Sequence, residues 1–155
     1  GSDEEGLPDA AQGMISALTV TEATGSVPEG ALPVADVVVE MDDFVFNVEG
    51  TLQQGEQLVR LSNTGTEIHE MAVLRLHEGT SFEDLRAMLE SEEEPEGGPP
   101  VDEVGFALLS PDVDSYVTMD FPELGDYVMI CYIPSPAHEG TSHYELGMVH
   151  EFTIP

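Results

Sequence analysis

The sequence predicts an all-β protein: a Greek-key β-sandwich of seven to eight strands with one inserted α-helix. Two observations carry this prediction. Short segments rich in β-branched and aromatic residues recur along the chain, separated by turns that contain glycine, proline or asparagine. One segment, between residues 80 and 94, changes instead to the spacing of an amphipathic helix. Two packed antiparallel sheets are the usual architecture for such a pattern.

Each predicted strand is a short run of apolar, β-branched or aromatic residues. Gly50, Gly55 and the turn-forming run 62–65 separate the early strands. Later strands are separated by turns that carry proline or glycine. In chain order, the predicted strands are 37–39, 44–48, 57–61, 69–76, 105–109, 116–121, 127–133 and 149–154.

Residues 80–94 carry the signals of one helix. Ser81 is followed three residues later by Asp84, which is the spacing of an N-terminal capping box. One face of the helix would be apolar, formed by Phe82, Leu85, Met88 and Leu89. An acidic run rich in glycine and proline follows, and it favours neither helix nor strand. We therefore predict a helix and an acidic loop as an insertion at about 80–104.

One folded domain is expected. Residues 1–35, rich in Gly, Pro, Ala, Ser and acids, are interpreted as a flexible acidic linker or tether. Residues 36–155 are interpreted as the domain, and they are numerous enough to bury one hydrophobic core. The chain has no run of about 18 apolar residues, so we expect no direct membrane insertion.

The composition is strongly acidic. The chain has 32 Asp and Glu residues against three arginines and no lysine, and its formal net charge is −29. Such a surface repels the phosphates of nucleic acids and anionic lipid headgroups, so nucleic acid is excluded as a partner. Two interpretations of the acidity remain open. One is halophilic adaptation to high salt, and the other is docking of a redox partner with a cationic face.

Four residues form a candidate metal-ligand set. Cys131 is the single cysteine, so no internal disulfide is possible. His143 and Met148 follow it, and His69 precedes it by about sixty residues. A thiolate, two imidazoles and a weak thioether are the ligands of type 1, or blue, copper centres. Soft sulfur favours Cu(I) and imidazole suits Cu(II), so one ligand set of nearly fixed geometry binds both oxidation states and can pass single electrons.

The residues around these ligands resemble the plastocyanin-like cupredoxins. Roughly residues 37–154 are covered by the resemblance. The matching pieces are Gly125-Asp126-Tyr127 leading to Cys131 and Pro134, the spacing of His143 and Met148, the closing strand to Ile154, and the segment 63–69 that delivers the first histidine. The resemblance implies a cupredoxin-like sandwich, one copper ion per chain near one end, and soluble or membrane-bound electron-transfer partners.

Two features depart from the family pattern. The gap from Cys131 to His143 is longer than in plastocyanin-like members and contains His138, so His138 is an alternative to His143 as the second imidazole. Glu70 follows His69, where many members carry an asparagine that ties the two ligand segments together. We therefore expect that tie to be missing, which would loosen the site or shift its potential.

The leading hypothesis is a mononuclear type 1 copper protein that acts as a one-electron carrier, with electrons leaving through the exposed edge of His143. Two alternatives remain: a copper-binding or delivery module without redox cycling, and a metal-free cupredoxin-like structural or interaction domain. An enzyme is not expected, because the chain has neither a Gly-rich phosphate loop nor a nucleophile elbow. We further expect an extracytoplasmic monomer, secreted, periplasmic or surface-anchored, whose native form is compatible with a lipid or N-terminal anchor.

Overall fold

The computed structural model of the chain describes residues 15–19, 32–91 and 97–155. Most of the predicted linker, 1–35, lies outside these residues, as do residues 92–96 of the predicted acidic loop. Those two assignments stay predictions. Within the described parts of the chain, no helix has the length and apolar character needed to cross a membrane.

The chain divides into two units, Gly1–Leu32 and Pro33–Pro155, and both sheets belong to the second. One sheet has the strand order β2-β1-β3-β6 and the other β5-β4-β7-β8. Neighbouring strands are antiparallel, except that β1 and β3 are parallel. These pairings confirm the predicted all-β sandwich. The strands are β1 (Val37–Asp42), β2 (Val45–Glu49), β3 (Gly55–Asn63), β4 (His69–Leu76), β5 (Val101–Leu109), β6 (Asp114–Phe121), β7 (Gly125–Ile130) and β8 (Val149–Ile154).

The main core lies between the two sheets. In β1, the buried residues Val37, Val39 and Met41 alternate with more exposed ones, because successive side chains of a strand point to opposite faces. Burying a side chain of this size contributes roughly 1.5–3 kcal/mol. Cys131 and Met148 also belong to this core and are fully buried. Two of the predicted ligands are therefore anchored in the main core.

Helix α1 (Phe82–Leu89) begins at the predicted capping box. The Ser81 hydroxyl accepts the backbone N–H of Asp84, and the Asp84 carboxylate accepts the backbone N–H of Ser81. Leu85 is the fully buried residue of the helix. It belongs to a second apolar group, here called the helix cluster, which consists of Leu85 and the sheet residues Ala72, Leu74, Leu76, Val128 and Ile130.

Most strand boundaries differ from the prediction by a few residues, and the differences at β5 and β7 concern the insertion and the site. Strand β5 begins at Val101, inside the predicted insertion 80–104. Its exposed acidic residues do not look like a strand, but Asp102 lies opposite Arg75 of β4 and forms an ion pair with it at 3.3 Å. Strand β7 ends at Ile130, three residues earlier than predicted, because the chain there leaves the sheet for the loop that carries the candidate site.

Candidate metal centre

Three of the predicted ligands meet at one end of the sandwich. The ligand atoms of His69, Cys131 and His143 all lie within 4.8 Å of one another, and the three side chains are fully buried. His69 Nδ1 is 3.0 Å from His143 Nδ1, which is 3.3 Å from Cys131 Sγ. Ligand atoms bound at about 2.0–2.3 Å to one metal ion lie roughly 3–4 Å apart. The spacing of this group, here called the metal cluster, therefore fits one ion.

Strand order explains how these residues come together. His69 opens β4, and Cys131 directly follows β7, the antiparallel neighbour of β4, so both lie at the same end of the sheet. His143 lies in the loop between β7 and β8. This loop folds back on itself, because the N–H of His143 donates to Ile133 O at 2.8 Å and the N–H of Tyr144 donates to Cys131 O at 2.9 Å.

Met148, the fourth predicted ligand, is fully buried immediately before β8. Its N–H donates to His143 O at 2.9 Å, and its carbonyl oxygen accepts the N–H of Cys131 at 3.3 Å. The backbone of Met148 is thereby hydrogen-bonded to Cys131 and His143, two other predicted ligands. Its side chain packs in the main core. Its role as a ligand stays a prediction.

His138, the alternative second imidazole, lies outside the metal cluster. It ends a short 3-10 helix, Pro136–His138, and is exposed. Its Nδ1 is 3.0 Å from Ser135 Oγ, and its ring packs edge-on against Phe44 with centroids 5.0 Å apart. The loop therefore turns His143, and not His138, toward the thiol.

Two carboxylates that the sequence analysis did not single out lie beside the metal cluster. Each of them contacts the Nε2 atom of one imidazole. Asp43 Oδ1 is 3.1 Å from His69 Nε2, and Glu67 Oε2 is 3.0 Å from His143 Nε2. Glu67 lies two residues before His69, which is a signal that sequence reasoning had within reach. Asp43 lies in the β1–β2 turn, and only the folded sandwich brings that turn to the start of β4.

Both carboxylates are charged at neutral pH. Burial raises the pKa of Asp43, but hydrogen bonds from Thr66, His69 and the backbone of Glu67 outweigh it and lower the pKa to about 2. Burial also raises the pKa of Glu67, but its hydrogen bonds, including that from His143, outweigh this effect and lower the pKa overall. Burial lowers the pKa of His69 and so favours its neutral form. The carboxylates can only accept hydrogen bonds, so each imidazole Nε2 is the donor.

The atoms of the metal cluster that can bind a metal ion face one common position. A neutral imidazole that donates from Nε2 has a lone pair on Nδ1, and the Nδ1 atoms of His69 and His143 face each other beside Cys131 Sγ. Burial raises the pKa of the Cys131 thiol, and the N–H of Glu70, which donates to Sγ at 3.4 Å, opposes this effect. One sulfur and two imidazole nitrogens in a buried position suit copper and also zinc.

Glu70 ties the ligand segments together, so the expectation that this tie is missing is wrong. Its carboxylate Oε1 accepts the N–H of Tyr132 at 2.6 Å, and its own N–H donates to Cys131 Sγ. The side chain is buried between β4 and the segment after β7. A carboxylate thus makes the cross-link that the family resemblance assigns to an asparagine.

The β1–β2 turn covers the metal cluster. Phe44 in this turn has a φ of 66°, a left-handed conformation that is uncommon for an aromatic residue. Its ring packs edge-on against His143 with centroids 5.1 Å apart. The His143 ring is fully buried, and Glu67 contacts its Nε2. The expectation that His143 has an exposed edge is therefore wrong, and the route by which electrons would leave stays a prediction.

Comparison with known proteins supports the fold. No protein-family model and no curated protein matches the chain. It is similar to the solved structure of dithionite-reduced auracyanin from the photosynthetic bacterium Roseiflexus castenholzii, with 24% identity over 76% of this chain and 94% of that one, and a TM-score of 0.52. Auracyanin B (20% identity, 76% and 86%, TM-score 0.47) and auracyanin A, a "blue" copper protein from Chloroflexus aurantiacus (16%, 76% and 96%, TM-score 0.49), are also similar. The first of these similarities confirms the cupredoxin fold.

Proposed function

We propose that the chain is a mononuclear copper protein that carries single electrons. His69 Nδ1, Cys131 Sγ and His143 Nδ1 would hold the copper ion, with Met148 as the fourth ligand. The observation that supports this proposal is the convergence of two imidazole lone pairs and one thiol within 4.8 Å in a fully buried position. Bound copper would supply one-electron redox chemistry.

The surroundings of the ligands support electron transfer over turnover of a substrate. The three side chains are fully buried, so a substrate has no direct approach to an ion held between them. Hydrogen bonds to groups outside the cluster fix their orientation, including those that His69 donates to Asp43 and His143 donates to Glu67. Ligands held in this way need little rearrangement when the oxidation state changes.

The proposal extends to the kind of partner. A net charge of −29 attracts a redox protein with a cationic docking face, and salt weakens that attraction. High-salt adaptation remains the other interpretation of the same charge. An extracytoplasmic location and a monomeric state stay predictions.

The test is titration of the purified protein with Cu(II), followed by its visible spectrum. We expect one equivalent of copper to produce an intense thiolate-to-copper band, which a reductant bleaches and reoxidation restores. Cys131→Ala removes the band because no other thiol is present. His138→Ala is the matched control, because this histidine lies outside the cluster, and it keeps the band.

The other outcomes separate the alternatives. Stoichiometric copper binding without the band, or a band that survives Cys131→Ala, would overturn the electron-carrier proposal. A band that forms but cannot be cycled would favour copper binding without redox function. Failure to bind copper would favour a metal-free structural or interaction domain.

A further inference from the structure

Each imidazole of the metal cluster has a carboxylate on the side that faces away from the thiol. The distances are nearly equal, 3.1 Å from Asp43 to His69 and 3.0 Å from Glu67 to His143. The Glu67 side chain is 14% exposed and the Asp43 side chain 31%, so both charges are partly withdrawn from water. Charges in such positions are less screened than charges on the open surface.

Other hydrogen bonds hold both carboxylates in place. Asp43 accepts the backbone N–H and the hydroxyl of Thr66, each at 2.8 Å. The second oxygen of Glu67 accepts the hydroxyl of Ser135 at 2.9 Å. Because each carboxylate is bonded to the fold as well as to a ring, neither can turn away from its imidazole without breaking these contacts.

We infer that Asp43 and Glu67 are positioning residues that turn both Nδ1 atoms toward the bound copper and stabilise Cu(II) over Cu(I). The inference rests on the proposed function. An imidazole whose Nε2–H is bonded to a carboxylate is oriented by that bond and is a more basic ligand. Two nearby negative charges also favour the ion with the higher positive charge. Removal of either charge therefore raises the reduction potential.

Glu67→Gln is the sharpest variant, because glutamine has the same shape and can still accept a hydrogen bond from His143. Mutation of a residue that holds a ligand in this way typically reduces metal affinity by about 10–100-fold. We expect at least about a tenfold loss, mainly for Cu(II), and each tenfold change in the affinity ratio corresponds to about 59 mV for one electron. Asp43→Asn should shift the potential in the same direction through the other imidazole.

Glu145→Gln is the control. It removes one charge from the loop that carries His143, but Glu145 is exposed and accepts the backbone N–H of Ser142 instead of an imidazole N–H. We expect the thiolate-to-copper band in all three variants, and a much smaller rise in potential in this control. Equal shifts in Glu67→Gln and Glu145→Gln would overturn the inference and leave only a general effect of charge.

Nitrogen-15 NMR of the metal-free protein tests the same inference without copper. We expect His69 and His143 to carry their proton on Nε2. A proton on Nδ1 of either ring would overturn the positioning role. If both rings are protonated on Nε2 and copper nevertheless produces no thiolate band, the proposed function fails and the orientation of the rings by the carboxylates stands.

Discussion

The metal cluster and the helix cluster both depend on strands β4 and β7, and they are held by different forces. The helix cluster packs on these strands, whereas the metal cluster lies at the start of β4 and in the segment that follows β7. The helix cluster consists of apolar side chains around Leu85, packed on the outer face of the sheet. The metal cluster consists of polar side chains, His69, Cys131 and His143, each held by hydrogen bonds of definite direction. Apolar contact is non-directional, whereas hydrogen bonds depend on distance and angle.

This difference separates stability from function. We expect loss of apolar packing under helix α1 to lower the free energy of unfolding and to leave the metal-binding atoms of His69, Cys131 and His143 in place. A displacement of a few tenths of an ångström beside Asp43 or Glu67 moves the ring nitrogens that would bind the metal ion. The two clusters should therefore respond differently to substitutions of similar size.

Leu85→Ala should have the largest effect on stability. It removes the fully buried side chain of the helix, and truncation of such a leucine typically costs about 2–5 kcal/mol. We expect a loss in that range by urea denaturation, with an unchanged copper spectrum. Leu124→Ala, at a leucine that is 53% exposed, is the matched control and should cost little. A shifted copper band in Leu85→Ala would show that the two clusters are coupled.

Gly65→Ala should damage the site more than the fold. A Cβ at Gly65 would lie 2.5 Å from Asp43 Oδ1 and 2.6 Å from His69 Nε2, so it would separate the hydrogen-bonded pair. Overpacking typically costs about 1–3 kcal/mol. Titration with copper should in addition reveal a weakened affinity, because the imidazole loses its orientation.

Gly105→Ala is the comparison for this substitution. Its Cβ would overlap the flexible end of Met119 in the main core, away from the metal cluster. We expect destabilisation without loss of copper affinity. If both variants lost copper equally, the special sensitivity of the site would be refuted.

Glu70→Ala should have the smallest effect of the three on stability. It leaves the N–H of Tyr132 without its acceptor, and an unsatisfied buried group costs about 1–3 kcal/mol, less where water can enter. We expect a broadened or shifted copper band, since the link between β4 and the Cys131 segment is cut. Glu70→Gln keeps an acceptor oxygen and should stay close to the parent protein. Identical spectra for both variants would argue against a cross-linking role.

Much of the fold could be predicted from local patterns. Strand alternation and the Ser81–Asp84 capping box depend on neighbouring residues, so the sequence contains them directly. The early part of β5 was missed because Asp102 and Glu103 are exposed and acidic, and their strand conformation depends on pairing with β4. Pairing partners distant in sequence are not visible in a local pattern.

The same difference between local patterns and contacts distant in sequence applies to the candidate site. The grouping of His69, Cys131 and His143 could be predicted because few residue types bind copper and the chain contains a single cysteine. Glu67 could have been identified because it lies two residues before His69, but Asp43 could not be distinguished among 32 acidic residues, since only its position beside a ring nitrogen sets it apart. The tie at Glu70 was missed because the expectation relied on the residue type instead of its hydrogen bonds.

The order in which the chain folds follows from how far apart the partners of the metal cluster lie in sequence. Glu70 and Cys131 are separated by 61 residues, His69 and His143 by 74, and Glu67 and His143 by 76. Closing such long loops costs conformational entropy before the stabilising contacts have formed, so we expect contacts of this kind to form late. The helix cap, which spans three residues, can form early. If copper binds as proposed, we therefore expect it to find its full ligand set only after the two sheets have closed.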